Sequence, residues 1–274
     1  EPGSSISCNN DSGLGKIISE AYEKVGKDGG VLMEQSDTGE TYSDIVDGVK
    51  FESGLTSPHF VTDKDKNRSV LEEPCVLVVD SKIPNVRKIQ NILEYVIKNR
   101  RSLLIVADIE QQAKSALLMN KVKGNIEINI IDPPGFGPTK KDTMEDLGIL
   151  TGAKVLNEEL GDDLDLIQPD VLGYAKAAVT DDSHTVLTVD KNVKELQDRI
   201  KEVKKAIKKE GNAFIKGKLE ERLGMLSGSV GMIKVGAHSK VELKEKKDRV
   251  EDAIYATKAA LKEGIVSGGG IALL

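Results

Sequence analysis

The middle of the chain alternates short apolar runs with amphipathic segments. Residues 75–79 have the composition of a buried strand, and residues 103–106 and 126–131 are predicted to be the second and third strands. Residues 85–98 and 110–122 lie between these runs and repeat apolar side chains at helical spacing. The resulting β-α-β-α-β order predicts a parallel sheet with helices packed on it. The predicted fold class is therefore α/β.

Periodic segments also flank this parallel core on both sides. Helices are predicted over residues 14–25, 141–150, 193–207, 217–226 and from residue 242 onwards. Strands are predicted over residues 31–34 and 41–51, and mixed strands over residues 173–180 and 185–189. The first and last parts of the chain flank an autonomous middle. We therefore predict that a domain of residues 47–229 is inserted into a smaller α+β domain, made of residues 1–46 and 230–274.

Two of the predicted helices carry more apolar surface than one sheet can cover. In the first helix an inward stripe already exists, and Leu93 and Ile97 extend it around the side. In the second helix Leu117, Leu118 and Met119 are consecutive and span about 200°, so at least one of them must be exposed or covered by something else. One interpretation is a second layer within the same domain. The other is a solvent-facing apolar groove for flexible hydrophobic partners.

Composition excludes several classes of function. The net charge of the 274 residues is −6 with acidic and basic side chains interspersed, so no basic stripe predicts nucleic-acid binding. No run approaches the roughly 20 apolar residues of a membrane span, and the first residues contain no apolar signal core. Membrane insertion and secretion are therefore not expected. Cys8 and Cys75 are isolated and the three histidines lack metal-binding spacing, so no metal site is predicted.

Seven segments carry distinctive combinations of glycine, proline and charged residues. They occupy residues 24–29, 48–51, 54–60, 134–137, 149–152, 235–237 and 244–270. In the last segment a charged helix with one apolar stripe, formed by Val250, Ile254, Thr257 and Leu261, runs into a triple glycine. Asp252 lies about 200° around this helix from Val250, so its carboxylate is expected to point away from the stripe. In order and spacing, these segments resemble group I chaperonins, the GroEL-type family of bacteria and organelles. The resemblance implies that residues 47–229 form the apical domain and that the flanking residues form the intermediate domain.

The resemblance also implies a function in protein folding. The full-length protein would be an ATP-driven, heptamer-type homo-oligomeric ring that uses ATP and Mg²⁺. Its partners would be unfolded polypeptides and a GroES-type co-chaperonin, and its compartment the cytoplasm or the matrix of a mitochondrion or plastid. The family's nucleotide pocket is built largely from segments without a counterpart in this chain. This chain alone is therefore expected neither to hydrolyse ATP nor to hold a cofactor.

The resemblance assigns individual site residues. The partner-binding groove would be formed by Leu55, Ser57, His59, Phe60, Leu93, Leu118 and Met119. Gln90 and Lys114 stand where the family usually has leucines, which makes the expected rim of the groove more polar. Asp252 matches the catalytic aspartate that orients the attacking water, and Gly268, Gly269 and Gly270 match glycines that approach the nucleotide. Gly48 and Gly228 would be hinges between the domains.

A different class of function remains as the alternative. The parallel sheet could belong to a small-molecule-binding α/β enzyme domain, whose ligand would lie at the carboxyl ends of the strands. Asp80 and Asp108 follow two of the predicted strands. Neither residue is followed by a glycine-rich phosphate-binding motif, and no paired acid and base groups lie near the strand ends, so the sequence favours the chaperonin interpretation.

Overall fold

The computed structural model describes residues 11–26, 29–135 and 137–264, which divide into two compact units. The second unit, Lys50–Glu202, is continuous in sequence. In the sequence, it separates the two parts of the first unit, Glu1–Val49 and Val203–Leu274. The domain limits predicted above at residues 46/47 and 229/230 stay a prediction.

The elements follow one another in a mixed α/β order, which confirms the predicted fold class. In chain order the helices are α1 (Asp11–Val25), α2 (Gln90–Lys98), α3 (Gln111–Val122), α4 (Pro138–Thr151), α5 (Lys194–Lys209), α6 (Ala213–Ser227) and α7 (Lys240–Lys262). The strands are β1 (Gly30–Gln35), β2 (Tyr42–Val46), β3 (Gly48–Phe51), β4 (Ser69–Glu72), β5 (Cys75–Val78), β6 (Leu103–Val106), β7 (Ile128–Ile131), β8 (Gly173–Tyr174), β9 (Ala177–Thr180), β10 (Thr185–Thr188) and β11 (Val230–Val235). Short 3₁₀ turns occur at Pro58–Phe60, Val86–Ile89, Glu158–Leu160, Leu164–Leu166 and Pro169–Val171.

The second unit is built on the parallel sheet that the apolar runs predict. Its strand order is β7-β6-β5-β8, and β5, β6 and β7 pair in parallel, with Cys75 opposite Leu103 and Leu103 opposite Ile128. The short strand β8 pairs antiparallel with β5 at the edge. A second sheet has the order β3-β10-β9-β4, in which β9 is antiparallel to both β4 and β10.

Helices α2 and α3 cover the same face of the parallel sheet. Each follows one strand and precedes the next parallel strand, and successive right-handed crossovers in one direction place their helices on one side. Alternate strand residues such as Leu77 and Ile105 join the buried residues of both helices in one apolar cluster. Strands β5 and β6 are buried along their whole length, which explains their continuous apolar sequence, and β7 is equally buried although it contains Asn129.

The structure differs from the predicted elements at two places. The helix predicted over 85–98 begins as a 3₁₀ turn, Val86–Ile89, whose backbone is capped by the Asn85 side chain, and α2 starts only at Gln90. The strand predicted within 41–51 is two strands, because the pairing is interrupted at Asp47. Apolar periodicity indicates neither the type of a helical turn nor a one-residue break between two strands, so the sequence does not predict these boundaries.

An ionic cluster joins α5 to α4 within the second unit. The Arg199 guanidinium donates hydrogen bonds to Asp146 Oδ1 at 2.8 Å, Glu145 Oε2 at 3.2 Å and Glu202 Oε2 at 3.4 Å. The side chain of Asp146 is fully buried. Burial lowers the pKa of Arg199, but the hydrogen bonds and charges of Asp146 and Glu145 outweigh it and raise that pKa above its ordinary value. The cluster therefore neutralises a buried carboxylate.

A tight turn joins β9 to β10 and contains a partly exposed carboxylate, that of Asp181. Asp181 Oδ1 accepts hydrogen bonds from the backbone N–H groups of Ser183 at 2.8 Å and His184 at 2.7 Å. Burial raises the pKa of Asp181, but hydrogen bonds from the His184 side chain and from these two N–H groups outweigh it. The pKa of Asp181 is therefore held below its usual range.

The first unit packs helices on a three-stranded sheet of order β1-β11-β2. Strand β11 is parallel to β1 and antiparallel to β2. Helix α1 contributes Ile18 and Ala21, which are fully buried, and α7 contributes Val250. Burial also raises the pKa of Tyr22 on α1 to about 12. The apolar stripes predicted for the first and last helices therefore meet in one core.

Candidate functional site

The most exposed apolar side chains on α2 and α3 are Ile97, Met119 and Val122. They are 49%, 59% and 71% exposed, respectively. Both helices run antiparallel to the same parallel strands, so their carboxyl-terminal ends lie at the same edge of the sheet. Met119 and Val122 are three residues apart and therefore lie on one side of α3. We call Ile97, Met119 and Val122 the apolar patch.

Leu93 belongs to the core and not to this patch. Its side chain is only 6% exposed, so the expectation that it extends the apolar stripe to the surface is wrong. Within α2, Leu93 lies about 60° around the helix from the fully buried Val96, whereas Ile97 lies about 100° away. The segment 164–172 also packs along α2: Ile167 and Val171 share its apolar cluster, and the Asn91 side chain donates to Ile167 O at 3.1 Å. A second layer of the same unit thus covers the side of α2 that carries Asn91, which lies about 200° around the helix from Leu93.

The consecutive apolar residues of α3 divide between core and surface. Leu117 is 1% exposed, Leu118 is half-buried against the apolar cluster, and Met119 is 59% exposed. The prediction that at least one of the three cannot face the sheet is therefore confirmed.

The turn around Pro58–Phe60 contacts α3 and brings the remaining groove candidates to this side of the unit. Phe60 is fully buried in the same apolar cluster, and Leu55 packs partly against it. The Ser57 hydroxyl caps the turn by accepting from the backbone N–H of His59 at 3.2 Å. The His59 side chain is exposed. Phe60 and Ser57 therefore shape the turn, while His59 is left at the surface.

Two polar residues flank the candidate surface. Gln90 is exposed at the start of α2, and its side-chain amide donates to Glu94 Oε1 at 3.2 Å. Lys114 is half-buried on α3. Both residues could contribute hydrogen bonds or charge to a partner, but neither adds apolar area.

The carboxyl ends of the parallel strands hold ion pairs rather than a concentrated group of acid and base side chains. Asp80 Oδ1 lies 3.7 Å from Lys140 Nζ, and Lys82 Nζ lies 2.8 Å from Glu110 Oε1. Within residues 11–26, 29–135 and 137–264, no three His, Cys, Asp or Glu side chains are grouped so that they could hold a metal ion. This edge of the sheet therefore offers no support for the alternative of an enzyme site.

The residues predicted to act on a nucleotide or as hinges lie in the first unit or outside the described residues. On α7, Val250 and Thr257 are buried and Asp252 is exposed, as their angular positions predict. Gly268, Gly269 and Gly270 lie outside the described residues. Gly48 begins β3 beside the limit between the units, and Gly228 follows the last residue of α6.

Comparison with protein families decides the class of the protein. The model of the TCP-1/cpn60 chaperonin family matches residues 3–274. The chain belongs to this family. Membership of the chaperonin family indicates a role in protein folding. It also implies that the clients are non-native polypeptides and that the general form of assembly is an oligomeric ring. In the described part of the chain, no helix has both the length and the apolarity to cross a membrane.

Sequence reasoning missed Val122 as a candidate site residue of the chaperonin. Its side chain is 71% exposed, more than that of Met119. The available signal was its position three residues after Met119, which places it on the same side of α3. An exposed apolar patch of this kind is the chemistry that a chaperone needs, because unfolded chains expose apolar side chains of varied shape.

Proposed function

We propose that the chain is the apical and intermediate part of a group I chaperonin subunit. In this proposal the apolar patch, together with Leu118 and the turn that carries Leu55 and His59, binds non-native polypeptides and a GroES-type co-chaperonin. The observation that carries the proposal is the exposure of Ile97, Met119 and Val122 on two helices that cover one sheet face. Phe60 and Leu93 would support this surface from the core.

The exposed areas set the strength of binding. Burying a whole apolar side chain of this size is worth about 1.5–3 kcal/mol, so covering the exposed fractions of the three patch residues contributes about 3–5 kcal/mol. Association costs at least several kcal/mol in lost translational and rotational freedom. A single chain should therefore hold a client weakly. Tight capture would need several patches acting together, as in a ring.

The nucleotide chemistry belongs to the same proposal. In a full-length subunit Asp252 would orient the water that attacks ATP, with Mg²⁺ and the glycines 268–270 close to the phosphates. The subunits would form a heptamer-type ring in the cytoplasm or in an organelle matrix. The exposure of Asp252 is compatible with this role, since its side chain is not buried in the core of the first unit. Gly48 and Gly228 would act as hinges of the apical domain.

Two valines provide a matched test of client binding. Val122 on α3 is 71% exposed and Val241 on α7 is 72% exposed, so replacing either by serine removes the same apolar area. Light scattering would follow the aggregation of a urea-unfolded client protein that is diluted into buffer with each variant, without ATP. We expect Val122→Ser to weaken client binding about fivefold and Val241→Ser to leave it unchanged.

The double variant Met119→Ser/Val122→Ser strengthens the test, because it removes most of the patch. It should abolish the suppression of aggregation while its circular dichroism stays that of the wild type. Equal losses in Val122→Ser and Val241→Ser would show that binding is non-specific. Undiminished suppression by the double variant would refute the proposed surface.

A further inference from the structure

The five methionines of the chain differ in exposure. Met119 is 59% exposed, whereas Met144 is fully buried and Met33, Met225 and Met232 are half-buried. Oxidation of a thioether requires that the oxidant reach the sulfur atom, so exposure largely decides which methionine reacts first. Met119 is therefore the methionine most open to attack.

The cysteine thiol in the described residues does not compete with Met119. Cys75 is fully buried in β5, and burial raises the pKa of its thiol, which keeps it in the unreactive protonated form. Reaction with peroxides needs the thiolate, whereas a thioether reacts in its neutral form. Among residues 11–26, 29–135 and 137–264, the sulfur best placed for oxidation is that of Met119.

Met119 also lies in the apolar patch, where a more polar side chain would weaken the binding of apolar clients. It lies three residues from Val122 on the same side of α3, and the proposed binding depends on the apolar surface of these side chains. A sulfoxide carries a strong hydrogen-bond acceptor, and covering it with an apolar client would bury a polar group without a partner. Oxidation at this one atom would therefore weaken the whole patch.

We propose that Met119 is an oxidant-sensitive modification site that lowers the affinity of the chain for unfolded polypeptides. The proposal rests on the proposed function of the apolar patch. In the reaction with hydrogen peroxide, a sulfur lone pair of Met119 forms a bond to one peroxide oxygen and the O–O bond breaks. The sulfur is oxidised to the sulfoxide, and the leaving hydroxide takes up the proton of the transferred oxygen to become water. A sulfoxide reductase with a dithiol reverses the reaction.

Peptide mapping by mass spectrometry tests the chemistry without reference to client binding. The intact chain is treated with increasing hydrogen peroxide, and the sulfoxide content of each methionine is measured. We expect Met119 to be oxidised at least several times faster than Met225 or Met232, and Met144 to be the slowest. Oxidation of Met119 at the same rate as the half-buried methionines would overturn the proposal.

Client binding is measured on the same samples before and after oxidation. The wild type should bind an unfolded client about tenfold more weakly after oxidation and recover with methionine sulfoxide reductase and dithiothreitol. The variant Met225→Leu should show the same loss, whereas the ratio of binding before and after peroxide should stay near one in Met119→Leu. An equal loss in Met119→Leu would overturn the proposal. If the untreated wild type binds no client, the proposed function fails, while selective oxidation of Met119 would still establish the site chemistry.

Discussion

Replacing Leu93 by alanine tests the division of α2 between core and surface. Leu93 is 6% exposed in the apolar cluster, so the substitution removes three buried carbon atoms and leaves a cavity under α2. Such changes cost about 2–5 kcal/mol, and a side chain that is this fully buried should lie at about 3 kcal/mol or above. Ile97, four residues later, is half exposed, and Ile97→Ala should cost only about 1 kcal/mol.

The two variants should separate stability from client binding. Urea unfolding followed by circular dichroism gives the free energy of unfolding, and aggregation suppression at low urea gives client binding. We expect Leu93→Ala to shift the urea midpoint strongly and Ile97→Ala to weaken client binding several-fold with a small shift. The reasoning would be refuted if Leu93→Ala kept the wild-type midpoint and lost client binding, because Leu93 would then act at the surface.

Two further predictions concern ionic groups of the second unit. Arg199→Met should lower the free energy of unfolding by about 3–5 kcal/mol, because it leaves the buried Asp146 carboxylate without this cation. In urea unfolding, the double variant with Asp146→Leu should recover much of that loss. A loss under about 1 kcal/mol in Arg199→Met would contradict this reasoning. Asp181 should make a pH-dependent contribution. Its depressed pKa stabilises the fold above the unfolded value of about 4, and the contribution disappears as the pH falls through the folded pKa. The difference in melting temperature between wild type and Asp181→Asn should therefore shrink between pH 6 and pH 3, whereas a constant difference would show that the carboxylate charge is irrelevant.

The sequence predicts the parallel core well because its strands are buried on both faces. Residues 75–79 and 103–106 are continuously apolar, four of the six residues 126–131 are isoleucine, and the intervening helical patterns leave little choice of topology. The carboxyl-terminal stripe on α7 is equally well predicted, since one angular calculation places Val250 inside and Asp252 outside. Both results depend only on local periodicity.

The width of an apolar stripe could not be predicted in the same way. Leu93 and Met119 both extend beyond the narrow stripe expected to face a sheet, yet one is buried and the other is exposed. Leu93 belongs to the apolar cluster of the second unit, whereas Met119 does not. The side of α3 that carries Met119 and Val122 stays exposed. Helical periodicity indicates that a residue lies off the sheet, but only the tertiary fold decides what else covers it.

Gly228 is another residue whose tertiary contacts were not visible in the sequence. It is predicted to be a hinge because glycine tolerates changes in dihedral angles. Its φ of −83° is open to any residue. Its N–H donates to Gly224 O at 2.8 Å, and a Cβ on Gly228 would lie 2.5 Å from that same oxygen and 3.5 Å from the Cα of Gly29. A proline here would remove the hydrogen bond that ends α6 as well as restrict the backbone, so its effect on domain motion could not be separated from damage to the helix end. The close approach of the last turn of α6 is by itself a sufficient reason for glycine at this position.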